Sequence, residues 1–430
     1  MRFRRRVTPL FLFFVLACAP LLAQQPQELS LKDAEKIAVE NHPQIQAAIG
    51  IASAAAEQVR EVRSAYYPTA YGNLTGVDAE NDSRITAGGL NNPIIYERYA
   101  NGVTVGQLLT DFGRTHDLVK SSNLHAQAQQ ENVVASRADV LLRVDQAFFS
   151  VLRAQSVLRV AEETVKSRQL VSDQVSVLAK NQIKSGLDAS FAKVDLEQAQ
   201  LLLVQARNDL DASYAQLSAA LGYGDERTFL LDETPLPPAP PADFPSLLQE
   251  AIKDRPELVS LRLDANSAHT YATAERDLWF PTISAAGSAG LTPVGANQLA
   301  PRYAAAGFNV TVPIFNGHLF GALRNEADAR ARAEDQNVRD LQDQIVRDVR
   351  TAWLNANSSF ERIAITEQLL KNASDALELA QSRYNLGLSS IIELSQAQLN
   401  MTQAELESAS SKYDYETQLS VLNYQIGALQ

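Results

Sequence analysis

Cysteine, methionine and long apolar runs are all scarce in this chain of 430 residues. Its one cysteine, Cys18, excludes a disulfide framework and any multi-cysteine metal site. The five histidines fall in no ligand-spaced cluster, so we expect no metal and no cofactor. No apolar run is long enough for a membrane-spanning helix. No nucleophile–base pair can be argued from the spacing, and we therefore expect a protein that is not an enzyme.

Positive charge is also in deficit, with 38 Lys and Arg against 50 Asp and Glu, a formal net charge of −12. This balance argues against a nucleic-acid partner, which requires a basic footprint. If the chain encloses a channel, the excess of acid favours an acidic lumen that selects cations.

The N-terminus has the form of an export signal. Four arginines precede a short apolar core, Leu10 to Leu16, which is too short to span a bilayer. Cleavage after Ala23 is one interpretation, with residues 1–23 as signal peptide. The other is a lipoprotein, because Val15-Leu16-Ala17-Cys18 resembles a lipobox and Cys18 would then be acylated. Either way, the protein leaves the cytoplasm.

The positions of proline and glycine divide the mature chain into two similar halves. Pro43 and Pro256 are 213 residues apart, and so are Pro68 and Pro281. This common offset indicates a tandem duplication. We place the first repeat at 24–222, a Pro-rich linker at 223–245 and the second repeat at 246–430. The pattern also pairs Gly186-Leu187 with Gly387-Leu388, as the tips at which each half reverses.

In the first half nothing breaks a helix from Gly113 to Gly186, a stretch of some 70 residues. The second half has a matching stretch from Gly317 to Gly387, without glycine between Ala322 and Leu386. At ~1.5 Å per residue such a helix would be roughly 105 Å long. We expect long helices over about 114–222 and 318–427. The returning helix of the first half carries a seven-residue pattern typical of a coiled coil, in which leucines recur at Leu196, Leu203, Leu210 and Leu217.

Between helices the period changes to two, which predicts strands at about 69–110 and 282–314. Strands of about ten residues with one apolar face suit a membrane barrel, although a soluble hairpin has the same period. Aromatic pairs at Tyr66-Tyr67 and Trp279-Phe280 fit an interfacial girdle. Four strands cannot close alone and open edges are not tolerated in lipid, so a barrel would have to be shared by several chains.

A likeness to a known family rests on the tandem halves and on several short motifs. These motifs are the Tyr67-Pro68 and Phe280-Pro281 junctions, the Asp111-Phe112-Gly113-Arg114 and Phe315-Asn316-Gly317 helix starts and the Arg383-Tyr384-Asn385-Leu386-Gly387-Leu388 tip. Over nearly its whole mature length the chain resembles the TolC family of bacterial outer membrane efflux proteins. The resemblance implies a mainly α fold with a membrane β-barrel portion. A homotrimer would form a 12-stranded barrel in outer membrane lipid and a 12-helix tunnel across the periplasm. It also implies two partners, a periplasmic adaptor protein and an inner-membrane pump.

The resemblance further implies that residues near the tip constrict the periplasmic entrance, and the gate candidates are Tyr384, Glu393 and Asp195. An acidic position of the family falls on Gln396 here, so the gate is less charged. The candidates for adaptor contact are Gly186, Leu187, Asp188, Gly387, Leu388 and Ser389. The alternatives are a plain helix-turn-helix corner for the tip and solvated helix positions for the acids.

The predicted function is therefore a passive outer membrane conduit for efflux or type I secretion. The alternative is a soluble, secreted coiled-coil structural protein whose strands form a small cap.

Overall fold

The protein is described from a computed structural model. The described residues are 27–78, 86–87, 90–91, 98–233, 235–295 and 300–429. The predicted signal peptide and Cys18 lie outside them.

The first half contains β1 (Gln27–Leu29), α1 (Leu31–Asn41), α2 (Pro43–Arg63), β2 (Thr69–Val77), β3 (Thr86–Ala87), β4 (Leu90–Asn91), β5 (Arg98–Thr110), α3 (Arg114–Lys180) and α4 (Gly186–Ala220). The second contains β6 (Phe229–Leu231), α5 (Phe244–Asp254), α6 (Pro256–Arg276), β7 (Thr282–Gly295), β8 (Arg302–Thr311), α7 (Leu319–Asn385) and α8 (Ile391–Gln425). This composition confirms the prediction of a mainly α chain with a small β portion.

The long helices α3 and α7 have 67 residues each, so each is about 100 Å long at ~1.5 Å per residue. Near the sheet α3 packs against α2 and α6, and farther away it packs against α4 and α8. The coiled-coil pattern of α4 is used as predicted, with the small residues Ala199, Ala206 and Ser213 buried. Small side chains at these positions let the α4 and α3 backbones approach closely.

Two glycines join helices end to end. Gly222 follows α4 with φ +82°, and a Cβ there would lie 3.1 Å from the Cα of His42, the residue that precedes α2. Gly427 follows α8 with φ +81°, and its Cβ would lie 3.3 Å from the Cα of Arg255, which precedes α6. The C-terminus of each returning helix therefore abuts the N-terminus of the short helix below the sheet. Only glycine combines this close approach with a positive φ at low cost.

The four longer strands form one antiparallel sheet in the order β2-β5-β7-β8. Alternation gives it two different faces. One carries apolar side chains, among them Val103, Val105, Phe308 and Val310, and the other carries hydroxyl and amide groups. Within the described ranges the outer edges of β2 and β8 pair with no other strand. The sheet is therefore open on both sides in a single chain.

Tyr303 of β8 lies over two glycines of neighbouring strands. Gly102, Gly290 and Tyr303 are in register across β5, β7 and β8. A Cβ on Gly290 would approach the tyrosine hydroxyl oxygen to 2.5 Å. The absence of a side chain there makes room for the ring on the polar face of the sheet.

The Pro-rich segment between the halves packs on the helices. Its strand β6 pairs in parallel with β1, and Phe229 and Leu231 enter a core with Leu29, Phe148 and Leu217. Farther along, the indole Nε1 of Trp353 donates to the carbonyl oxygen of Pro241 at 2.8 Å. The segment that the sequence indicated only as a linker thus packs, together with β1, α1 and α5, around the middle of the long helices. We call this outer layer the belt.

The correspondence predicted between the tips is wrong by four residues. Helices α3 and α7, like α4 and α8, start 205 residues apart, so Gly186 matches Ile391 rather than Gly387. The left-handed residue of the first tip is Gln182, with φ 61°, where the second tip has Gly387, with φ 76°. Gly186 begins α4 instead of turning the chain. A glycine near the turn suggested the wrong alignment because a glutamine occupies the strained position.

Among the described residues there is no helix with both the length and the apolarity needed to cross a membrane. The same part of the chain contains no group of three metal-ligating side chains.

Candidate functional site

The two helix tips, far from the sheet, are where most of the predicted site residues meet. In the first tip Ser185 and Asp188 form a reciprocal capping box at the start of α4. In the second, the Ser390 hydroxyl accepts from the Glu393 amide at 3.4 Å at the start of α8. A serine cap followed by an acid three residues later stabilises a helix N-terminus. Asp188 and Glu393 thus occupy equivalent positions, and each has a local structural role.

Lys184 connects the two tips. Its Nζ donates to the main-chain carbonyl oxygen of Tyr384 at 3.1 Å and lies 3.9 Å from the centroid of that residue's ring. The lysine thus contributes a charged hydrogen bond and a cation–π contact to the same partner. This places the gate candidate Tyr384 of α7 directly against the turn of the other half.

Tyr384 itself is buried, with 3% of its surface exposed. It packs in a cluster with Val175 of α3, Ala192 of α4 and Leu394 of α8. Burial, followed by the negative charge of Asp188, raises the pKa of its hydroxyl above the ordinary value. Within the described residues this hydroxyl has no hydrogen-bond partner. The tyrosine therefore acts as an apolar wedge between the two helix pairs.

Asp195 is the second gate candidate that bridges the halves. Its Oδ2 accepts from the Ser395 hydroxyl of α8 at 2.6 Å. Deeper in the same groove, Nη2 of the buried Arg168 donates to the Gln398 carbonyl oxygen at 2.7 Å and to the Thr402 hydroxyl at 3.0 Å. Burial lowers the pKa of Arg168, while the charge of Asp195 opposes that shift.

Glu393, the third gate candidate, pairs within its own half. Its Oε1 lies 3.1 Å from Nε of Arg383, and both side chains are about half exposed. Ion pairs this exposed contribute little to stability. Of the three candidates, the structure thus brings Tyr384 and Asp195 into contacts between halves and leaves Glu393 in a contact between α7 and α8.

The tip exposes large apolar side chains. Leu187 and Leu388, both predicted contact residues, have 65% and 67% of their surface exposed. Three further residues that the sequence analysis missed share this exposure: Ile183, Leu386 and Ile392. The sequence signal for this surface was a pair of apolar residues four positions apart in each tip, Ile183 with Leu187 and Leu388 with Ile392. Ser389 is different, because its hydroxyl is buried and has no hydrogen-bond partner among the described residues.

Aromatic pairs surround the junction between helices and sheet. The rings of Phe112 and Phe280 lie 6.1 Å apart, and Trp279 contacts Phe320 edge to face at 5.7 Å. Phe112, Trp279 and Phe280 remain about half exposed. This is the position at which the sequence predicted an interfacial girdle.

Comparison with known proteins gives a family match over most of the chain. The family model described as outer membrane efflux protein matches residues 36–223 and 247–428. The alkaline protease secretion protein AprF of Pseudomonas aeruginosa is 25% identical over 442 residues, which cover 100% of this chain and 90% of AprF. The outer membrane protein TolC of Vibrio cholerae is 24% identical over 439 residues, 99% of this chain and 96% of TolC.

The fold is also shared with solved structures. The outer-membrane channel OprN superposes with a TM-score of 0.82 at 16% identity, covering 92% of this chain and 89% of OprN. Identity this low speaks for the fold alone.

Proposed function

Because the chain belongs to the outer membrane efflux protein family, we propose that it is a trimeric outer membrane conduit that connects a periplasmic adaptor and an inner-membrane pump to the exterior. The family match supports an outer membrane channel over the secreted coiled-coil protein that the sequence left open. The family consists of channel proteins rather than enzymes. The observation that carries the trimer is the open four-stranded sheet on two rods of equal length.

Sheet closure is the physical reason for a trimer. The free edges of β2 and β8 carry backbone groups that must be paired in lipid. Pairing β8 of one copy with β2 of the next closes a barrel when three copies contribute twelve strands. Eight strands would leave an interior filled with side chains, whereas twelve leave room for cargo.

The two faces of the sheet fit this arrangement. The face with Val103, Val105 and Phe308 turns to outer membrane lipid, as in a transmembrane barrel. The opposite face, which includes Thr104 and Ser288, lines the water-filled interior. The aromatic pairs at the helix junction lie at the periplasmic interface.

The contacts between the tips hold the periplasmic entrance closed. Lys184 against Tyr384, and Asp195 against Ser395, join the α3–α4 pair to the α7–α8 pair. Opening requires the two helix pairs to separate, which breaks both contacts. The tip then docks on the adaptor through the exposed Leu187, Leu388 and their apolar neighbours, together with the other candidate contact residues Gly186, Asp188, Gly387 and Ser389.

Cell fractionation with bilayer recording tests this function. We expect the protein in the outer membrane fraction, as a heat-modifiable trimer that needs detergent for extraction, and we expect ion conductance after reconstitution. A freely soluble dimer without channel activity would support the coiled-coil alternative.

A further inference from the structure

A cavity of about 740 Å³ lies among α3, α4, α7 and α8, beside the junction at His42. Three arginines from two helices line it: Arg143 and Arg153 of α3 and Arg362 of α7. Among the described residues, Asp414 of α8 is the one carboxylate in the lining. In a chain with net charge −12, this concentration of guanidinium groups is the reverse of the overall balance.

The positive charge of Arg143 is not neutralised locally. Its guanidinium donates to the carbonyl oxygen of Asp139 at 3.2 Å and to the amide oxygen of Gln44, both uncharged groups. No ion pair of Arg143 with a carboxylate occurs among the described residues. Burial, followed by the charge of Arg143, lowers the pKa of His42, because both disfavour the protonated imidazole.

The other two arginines have carboxylate partners, of which Asp414 is partly buried and Glu407 is about half exposed. Nη1 of Arg153 lies 3.3 Å from Oδ1 of Asp414, and Nη2 of Arg362 lies 3.0 Å from Oε2 of Glu407. Both arginines are about half exposed. Ion pairs in this setting are weak, so a polyanion of higher charge competes with the carboxylates for the same guanidinium groups.

The cavity shares Ala147 and Phe149 with the core under the belt, but its arginines lie on another side of α3. On α3, the belt covers the stripe Val140, Val144 and Phe148, whereas Arg143, Ser150 and Arg153 form a different stripe at helical spacing. In the proposed trimer the belt is outside, and we place the arginine stripe on the tunnel side of the helical wall. This step rests on the proposed function.

We propose that this cavity is an anion-binding station of the conduit, which takes phosphate or carboxylate groups of its cargo. The planar fork of arginine binds such groups in a bidentate way, and in three copies the arginines form a band about 15 Å long on the tunnel wall. Each copy contributes three arginines against the paired carboxylates Asp414 and Glu407, so the band has a net positive charge, in contrast to the acidic lumen expected from net charge.

The test is calorimetric titration of the detergent-solubilised full chain with inorganic tripolyphosphate. Wild type is expected to bind it. Arg143→Gln should weaken the association constant about tenfold, because a charge-assisted contact is lost, and Arg143→Gln with Arg153→Gln should weaken it further. The control is Arg159→Gln, which removes the same charge from an exposed position of α3 outside the cavity. It should bind like wild type.

Two results would overturn the anion station: no binding by wild type, or equal weakening by Arg159→Gln. Bilayer recording separates this failure from failure of the conduit. A protein that conducts but does not bind tripolyphosphate is a conduit without the station. One that binds it but never conducts retains the site and contradicts the proposed function.

Discussion

Lys184 and Tyr384, which are 200 residues apart, join the two tips through two interactions of one ammonium group. The ammonium group is shared between the tyrosine's carbonyl oxygen, at 3.1 Å, and its ring, at 3.9 Å from the centroid. Both interactions require the first tip to lie against α7. The pair is therefore a direct measure of whether the two halves are joined at the entrance.

Replacing this lysine should open the entrance. A hydrogen bond from a charged group contributes about 1.5–3 kcal/mol, so Lys184→Met should raise the opening equilibrium by about tenfold or more. Single-channel recording measures this as a longer open time or a larger mean conductance. Lys184→Arg keeps a cation at the ring and serves as control. Unchanged gating in Lys184→Met would show that the contact does not hold the entrance.

Glu393 should matter much less than Lys184. Its partner Arg383 lies in the same helix pair, and the ion pair is about half exposed. Exposed pairs contribute ~0–1 kcal/mol, so Glu393→Gln should change the opening equilibrium by about fivefold at most. The same recording gives the comparison. A larger effect for Glu393→Gln than for Lys184→Met would reverse the ranking derived from the geometry.

Asp145 of α3 should make stability depend on pH. Only 3% of its surface is exposed, and burial raises the pKa of its carboxyl to about 7. A hydrogen bond from Ser420 opposes this shift, and the charge of the nearby Glu35 adds to it. Since the ordinary value is about 3.9, the folded state binds the proton more tightly than the unfolded state. Stability should then fall as pH rises from about 4 through 7.

Asp145→Asn removes this titration and keeps the size of the side chain. It should be more stable than wild type at pH 8.5 by on the order of 1–3 kcal/mol, with a smaller advantage at pH 5. Guanidinium unfolding in detergent at both pH values gives the difference. If the free energy of unfolding changed equally with pH in the two proteins, this would contradict an Asp145 that is protonated in the folded state.

Gly222→Ala should destabilise the joint between α4 and α2. The residue has φ +82°, and the new Cβ would lie 3.1 Å from the Cα of His42 and 3.2 Å from the carbonyl oxygen of Asn41. Strain of this kind costs about 1–3 kcal/mol. Gly321→Ala in α7 has open space and should stabilise by about 0.5–1 kcal/mol. The melting temperatures of the two variants should therefore shift in opposite directions from wild type. Equal shifts would contradict the prediction.

The sequence predicted the elements well where local chemistry decides them. Pro43 and Pro256 begin α2 and α6 at the predicted offset, because proline fits the first helical turn. It failed at the first tip, where Gln182 rather than a glycine adopts the left-handed conformation. No local rule favours glutamine there, so the nearest glycine misled the alignment.

Contacts between distant segments were beyond sequence reasoning. Lys184 carried no signal, because its partner is a carbonyl oxygen 200 residues away. The arginines of the cavity are separated along the chain and meet only when α3 and α7 pack around α8. Net charge could not indicate such a local cluster, because a sum over residues does not record where each charge lies.

Native mass spectrometry of the detergent-extracted, folded protein tests the central claim most directly, since the free edges of β2 and β8 demand neighbours. The account predicts a mass of three copies of the mature chain. A stable species of one or two copies, with the sheet folded, would contradict it.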